Sequence, residues 1–311
     1  MAMTLVEAAK LALNAGAAVQ SSVIEMFARA SDILRTIPFE NIAGNALKYN
    51  QEATLPGIAF RGVNEAYTES VGVINPKVEA LYIAGGDLDV DAFIMKTMGA
   101  GVRATHENMK VKALAADWTR AFIKGDSETQ PREFDGLQKR LTGGQLVAAG
   151  SASGGDVLSL AKLDETIDAV DAPTHLIMSK AMRRALTVAQ RTTTVGGYVT
   201  FDVDEFGRQV TKYNGLPVLV AYSENGGTEP LAFDEANPGG GSAVGQSIYV
   251  ASFGSARLQG IQSGPMEVRD LGELQTTPAW RTRVEWYPGI ALLHGRAAAR
   301  LWGIKAGAVV A

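Results

Sequence analysis

The sequence predicts an α+β protein, and three observations carry that expectation. Apolar residues recur at helical spacing from Thr4 to Leu34 and again from about Asp89 to Lys124. Between these runs, Asn45 to Gly86 alternates apolar and polar residues at the period of a strand. Beyond Arg191 the chain reads mostly as short β segments separated by Gly- and Pro-rich breaks.

The N-terminus opens on Thr4-Leu5-Val6-Glu7, the form of a capping box, and the helix it starts should end near Gly16. A second helical run places Val19, Val23, Met26, Phe27, Ala30 and Leu34 on one stripe, which either packs on the chain's own core or lies on a neighbouring subunit. The β excursion follows, with Leu47, Tyr49, Ile58, Phe60, Val63, Tyr67, Val71, Val73, Val78, Leu81 and Ile83 alternating and Pro56-Gly57, Arg61-Gly62 and Asn75-Pro76 as turns. Apolar residues between Gln51 and Glu69 are too sparse to bury a face, so the hairpin should project. A long hairpin is marginal alone in water, and a neighbouring copy of the chain is the most economical support.

The long helix is expected over Asp89 to Lys124, with Asp87, Asp89 and Asp91 enriching its start in acid and Lys124 near its end, as the helix dipole prefers. It would span about 50 Å. Gly99 and Gly101 each cost about 1 kcal/mol in a helix interior, so one bent helix and two shorter ones both fit. Gly125 to Arg140 reads as a loop and short helix, and Gly143-Gly144 and the run Gly150 to Gly155 mark breaks between two regions. Then come a helix over Val157 to Val170, a strand over Thr174 to Met178, and a helix over Ser179 to Arg191 with a basic face from Lys180, Arg183 and Arg184. Strands are expected at Leu216 to Val220, Ser247 to Ala251, Leu258 to Gln262, Met266 to Arg269 and along Trp280 to Ile304, with Glu224 to Gln246 an exposed loop.

With 311 residues, 46% of them hydrophobic and 20% charged, the chain can build one large or two medium domains. A net charge of −4 gives no global reason to bind a polyanion, and the absence of cysteine removes disulfides, thiolate nucleophiles and the usual structural zinc sites. No window reaches the roughly 18 unbroken apolar residues of a membrane span. The N-terminus also lacks the pattern of a secretory signal, with Lys10 interrupting its apolar residues.

The search for chemistry returns no catalytic, cofactor-binding or metal-binding residues. His106, His175 and His294 fall in different elements and not at ligand spacing. Gly150-Ser-Ala-Ser-Gly154 has alanine where a nucleophile elbow needs its serine. Gly99-Ala-Gly101 lacks the spacing of a dinucleotide fingerprint, and Asp87, Asp89 and Asp91 lack the glycine and glutamate of a calcium loop. The basic helix face could contact phosphates, but a solvated face is the simpler reading. Trp280, Trp286, Tyr287 and Trp302 suit core or interface packing better than stacking on bases or sugars.

The order of elements, together with Phe122-Ile-Lys-Gly-Asp126 and Phe134-Asp-Gly-Leu-Gln138 after the long helix, resembles the major capsid proteins of tailed bacteriophages, which share the Hong Kong 97-type fold. The resemblance covers essentially the whole chain. It implies an N-terminal arm (1–40), an extended loop (41–86), a peripheral domain with the spine helix (87–144 and 263–311) and an axial domain (145–262). It further implies a non-enzymatic coat protein that forms pentamers and hexamers of an icosahedral shell, located in the virion and assembled in the bacterial host cytoplasm. Partners would be other copies of the chain, a scaffolding protein, portal and decoration proteins, and packaged DNA by non-specific contact, with no membrane and no cofactor. Many relatives carry a long N-terminal scaffolding segment that is not visible here, so it is either removed or replaced by a separate protein. Some weld subunits through an isopeptide bond; Lys48 and Lys77 could supply the amine, but the last asparagine is Asn237, so non-covalent shells are expected. The alternatives are another phage structural or adhesion protein such as a tail component, or a hydrolase using scattered carboxylates.

Overall fold

The computed structural model describes residues 2–14, 24, 26–27, 30–54, 56–99, 101–191, 199–203, 209–221, 229–236, 238–240 and 244–310. Strand β1 (Met3–Thr4) leads into helix α1 (Leu5–Asn14), and the expected capping box forms. The Thr4 amide donates to Glu7 Oε2 at 2.9 Å, and the Glu7 amide to Thr4 Oγ1 at 3.3 Å. Helix α2 (Asp32–Thr36) and strand β2 (Pro38–Asn41) follow. Leu5, Ala9, Ile24, Phe27, Ile33 and Leu34 are buried in one core, so of the two readings of this segment, packing on the chain's own core holds for these residues. Leu11 stays exposed. Gly16, Val19 and Val23 lie outside the described residues.

Strands β3 (Ala46–Thr54) and β4 (Val73–Ala80) form an antiparallel hairpin, while residues 56–72 between them carry no strand. Of the one bent helix and the two shorter ones that fit the run from about Asp89 to Lys124, the second holds, with helix α3 (Ala92–Met98) and helix α4 (Gly101–Lys124), but the expected helix start is instead strand β5 (Ala84–Asp91). Tertiary pairing is the cause. Asp87-Leu88-Asp89-Val90 fits period two as well as a helix start, and arginines on a distant strand stand opposite the two aspartates. Only Asp91 serves the helix, its Oδ1 accepting from the Phe93 amide at 2.7 Å. Gly99, at φ 87°, separates α3 from α4, and at the usual rise α4 spans about 36 Å.

The chain continues through α5 (Leu137–Arg140), β6 (Leu146–Ala148), α6 (Leu160–Asp168), β7 (His175–Met178), α7 (Lys180–Gln190), β8 (Val199–Val203), β9 (Gln209–Tyr213), β10 (Leu216–Val220), β11 (Glu235–Ala236), β12 (Val244–Ala251) and β13 (Leu258–Gln262). The run Trp280 to Ile304 is three strands, not one. After β14 (Glu267–Glu273) come β15 (Ala279–Trp286), β16 (Pro288–Leu292) and β17 (Ala298–Ile304), and each of the three joins a different sheet.

The eight-stranded sheet runs β6-β17-β12-β7-β10-β9-β8, with β11 attached to β12. Strand β17 therefore sits between β6 and β12, although the sequence reading grouped all of 263–311 with the spine helix. A four-stranded sheet runs β1-β2-β13-β16, and a three-stranded sheet β14-β15-β5. Two apolar cores lie on opposite faces of the large sheet. Ile177, Leu219, Tyr249 and Ala251 enter the core that holds α1, α2 and α4, whereas Leu176, Met178, Val218 and Val250 enter the one beneath α6 and α7. Burial on both faces explains why the second half of β12, Ile248 to Ala251, reads as a continuous apolar run.

Phe27 is fully buried and meets Trp286 edge-on at 4.9 Å. Phe27→Ala should cost about 3–5 kcal/mol in urea unfolding of the purified chain. A loss below about 1 kcal/mol would place this residue outside the cooperative core.

Candidate interaction surface

The segment after α4 is built on two close backbone approaches. A Cβ on Gly125 would stand 2.3 Å from the Phe134 carbonyl oxygen, and one on Gly136 2.6 Å from that of Ala121. The Gly136 amide donates to the Gly125 carbonyl at 2.8 Å. Phe122, Ile123, Phe134 and Leu137 are buried around this crossing. Asp126 and Asp135 fold the intervening loop: Asp135 Oδ1 accepts from the Ser127 amide at 2.8 Å, and Lys139 lies against both carboxylates. The Lys139 ammonium, with Thr129 and the Glu128 amide, holds Asp126 down at about 2. The two short sequence pieces that carried the family resemblance are thus the two sides of one rigid corner.

That corner also supports the root of the hairpin. Arg140 on α5 holds Glu79 on β4 in a fork, with Nη2 to Oε2 at 2.7 Å, and its Nε donates to the Asp135 carbonyl at 2.6 Å. Tyr49 on β3 donates to the Leu292 carbonyl at 2.9 Å and lies 3.2 Å from Glu79. Burial, and then the Glu79 charge, raise its phenol well above the usual range. Gln51, also buried, reaches the same carbonyl at 3.4 Å. No local signal marks this anchorage, because Glu79 and Arg140 are 61 residues apart and a single charge in a strand reads as solvated.

Beyond the root the hairpin leaves the body. Ile58 is 95% exposed and Phe60 106%, and Val63, Tyr67 and Val71 are exposed with them. The tip is ordered by local contacts only: Gly57 N to Ser70 Oγ at 2.7 Å, Gly62 N to Glu65 Oε2 at 2.8 Å, and the Arg61 guanidinium over the Tyr67 ring at 5.1 Å. Isolated exposed apolar residues are ordinary, but five within one projecting segment, with Phe93 and Met98 exposed on α3, mark a surface suited to burial against another molecule.

The three-stranded sheet has two unlike faces. On one, Arg283 grips Asp87 at 2.6 and 2.9 Å and Arg281 grips Asp89 at 2.7 and 2.6 Å, each pair directly cross-strand. The guanidinium of Arg283 holds the Asp87 carboxyl below its ordinary value, and that of Arg281 does the same for Asp89. The helix-dipole role expected of these two aspartates is therefore replaced by a charge ladder. On the other face, Arg103 of α4 donates to Thr282 Oγ1 and pairs with Asp270 at 2.7 Å, while Val284 and Trp286 enter the core.

Among the described residues no group of three potential metal ligands occurs, and no helix is long and apolar enough to cross a membrane. His175 is pushed down to about 4 by burial, with Phe253 5.3 Å away and Thr174 Oγ1 at 2.9 Å from Nδ1. The Gly150 to Gly155 run is a surface turn whose Gly155 packs against the Gly303 carbonyl. Trp286 is core, as expected, and Trp280 faces Arg103 at 6.0 Å.

No family model matches the sequence, and no curated protein matches it. Solved structures do match, and they define the class of fold. The holo-SrpI encapsulin complex from Synechococcus elongatus is 16% identical, over 88% of this chain and 87% of that one, with a TM-score of 0.62. The capsid of the native GTA particle is 15% identical over 89% and 90%, at 0.62, and a chain of Mycobacterium phage Adephagia 13% identical over 89% of each, at 0.59. The chain has the α+β Hong Kong 97-type capsid fold that the sequence predicts.

Two measurements probe this surface. Glu79→Gln removes the charge that Arg140 grips, so amide exchange should accelerate in β3 and β4 while the two cores keep their protection; unchanged exchange would show that the root does not depend on this pair. His175 resists protonation until about pH 4 in the folded chain, whereas the unfolded chain takes up its proton near 6.5. Stability should therefore fall by about 3 kcal/mol as pH drops across that window, and His175→Gln should remove that part of the loss in urea titrations at pH 7 and pH 4.

Proposed function

We propose that this chain is the subunit of a closed protein shell of the tailed-phage capsid kind, assembling with copies of itself into five- and six-membered rings around a genome. The observation that carries the reading is the projecting hairpin, rigidly rooted at Glu79 and Arg140 and apolar at Ile58, Phe60 and Val63, on a fold otherwise found in shells. A tip that buries nothing in its own chain gains its stabilisation from a neighbour, and many weak contacts per subunit add up in a closed lattice.

In this reading residues 1–40 are the arm, 41–86 the extended loop, 87–144 and 263–311 the peripheral domain, and 145–262 the axial domain, with β17 contributed to the axial sheet from the C-terminal part. Scaffolding, portal and decoration proteins are the expected partners, DNA is met only non-specifically, and the shell forms in the host cytoplasm. The chain performs no catalysis. Its shells are held without covalent welds, since Lys48 and Lys77 lie on the hairpin and no asparagine occurs from Met266 onward.

A compartment of the encapsulin kind is the second reading, favoured by the equal TM-score of 0.62 to the SrpI complex. The two separate on particle content: nucleic acid inside particles isolated from their natural source supports the capsid, and protein cargo without nucleic acid supports the compartment.

The purified chain should give closed particles or isolated rings in negative-stain microscopy. Replacing residues 56–70 by a short Gly-Ser linker should abolish them and leave a cooperatively melting monomer; Gln51 is spared because it is bonded to the body. Particles from the shortened chain would contradict the role given to the tip. Boiling intact particles in detergent should release a single monomer band on a denaturing gel, and a ladder of covalent rings would overturn the non-covalent claim.

A further inference from the structure

Helix α7 carries a cationic stripe on its exposed side. Lys180, Arg183, Arg184 and Arg191 are all exposed and, at 100° per residue, fall within roughly 100° of one another around the axis, whereas Met182, Leu186 and Ala189 face the core. From residue 172 to 201 these four are the only charged side chains of the Lys, Arg, Asp and Glu types, in a chain whose acids outnumber its bases 33 to 29. Arg183 and Arg184 form no ion pair among the described residues, unlike Arg103, Arg281 and Arg283, which are each committed to a carboxylate. A cleft of about 440 Å³ runs along the stripe, lined by Lys180, Arg183, Arg184 and Thr187, with Glu229 the one carboxylate among its described lining residues.

On the other flank of the same helix lies a second groove of about 270 Å³, which shares Ala181 and Arg184 with the first and is otherwise lined by Ala185, Val188, Ala189 and residues 307–309. Val188 is 53% exposed at its rim. The far wall is a pinned strap: the Val310 amide donates to the Leu158 carbonyl and the Leu160 amide to that of Val310, both at 2.9 Å, and Lys305 N to the Asp156 carbonyl at 2.9 Å. The groove is therefore formed before anything enters it, which lowers the cost of binding.

The geometry points to α7 and the C-terminal strap as a docking groove for an acidic amphipathic helical segment of another protein. Such a segment would seat apolar side chains against Ala185 and Val188 and set carboxylates on Arg183 and Arg184, a helix-in-groove contact with charge-assisted hydrogen bonds along one edge. A nucleic-acid backbone would engage the cations but leave the apolar groove empty, so the pairing of the two grooves favours a peptide. The inference does not depend on whether the chain forms shells.

The test uses the purified full chain and fluorescein-labelled helical peptides of about 18 residues, five turns long. One peptide has leucine on one face and glutamate on the other; in the controls, serine replaces leucine or lysine replaces glutamate. A DNA duplex of about the same length serves as the competing ligand class. Fluorescence anisotropy should show binding of the leucine–glutamate peptide that weakens with added salt. It should weaken at least about ten-fold in Arg183→Glu/Arg184→Glu and in Val188→Asp, and persist in Arg183→Lys/Arg184→Lys. Circular dichroism of each variant checks that these exposed substitutions leave the fold intact. Equal binding of the serine peptide would reduce the site to non-specific charge, tighter binding of the duplex would make it a nucleic-acid surface, and no binding of the leucine–glutamate peptide would remove the site; each result overturns the inference.

Discussion

Trp286 is where the separate parts of this chain meet, and the other surfaces depend on that junction. Its ring lies 4.9 Å from Phe27, 5.4 Å from Phe39 and 6.1 Å from Trp118, which bring in the N-terminal segment, β2 and α4. Its Nε1 donates to Gln262 Oε1 at 3.0 Å, and Gln262 in turn donates to Asn41 Oδ1 at 2.9 Å, so the one polar atom of the ring ties β15 to β13 and β13 to β2. Aromatic rings bury large areas at little conformational cost, and a cluster of four at a crossing of helix and strands gives a stiff hub. Trp286 ends β15, the strand that carries Arg281 and Arg283, and is followed directly by β16, which supports the root of the hairpin through Leu292. A rigid body that presents its outer surfaces at fixed angles follows from that hub.

The hairpin shows why rigidity and exposure belong together here. Near the body three of its polar side chains are answered: Tyr49, Gln51 and Glu79 are bonded to Leu292 and Arg140. Farther out, no apolar residue from Ile58 to Val71 finds a core. A loosely tethered apolar tip would associate indiscriminately, whereas a rooted one reaches a partner in a limited set of directions. The bidentate pairs of β5 and β15 act in the same sense, since paired opposite charges on an exposed sheet fix register and discourage stray edge contacts.

Much of this was legible in the sequence, and the failures share a cause. The capping box at Thr4, the strands Leu216–Val220 and Leu258–Gln262, and the helix that follows Ser179 are local signals read correctly. The projecting hairpin was visible because its tip lacks enough apolar residues for a core. The start of the long helix was misplaced because Asp87 and Asp89 satisfy either a helix N-terminus or a cross-strand ladder, and only Arg281 and Arg283, nearly two hundred residues on, decide between them. The same limit hid the Glu79–Arg140 root, strands β1 and β2, and the division of Trp280 to Ile304 among three sheets. Pairings set by long-range partners leave no periodic trace in either segment.

The central claim is that the exposed tip is completed by another copy of the chain. Hydrogen exchange followed by mass spectrometry, on the same protein before and after assembly, tests it most directly. The account predicts that amides from residues 56 to 72 exchange freely in the unassembled chain and become protected in the particle, while the Trp286 hub is protected in both. Assembled particles in which those amides exchange as fast as in the free chain would contradict it.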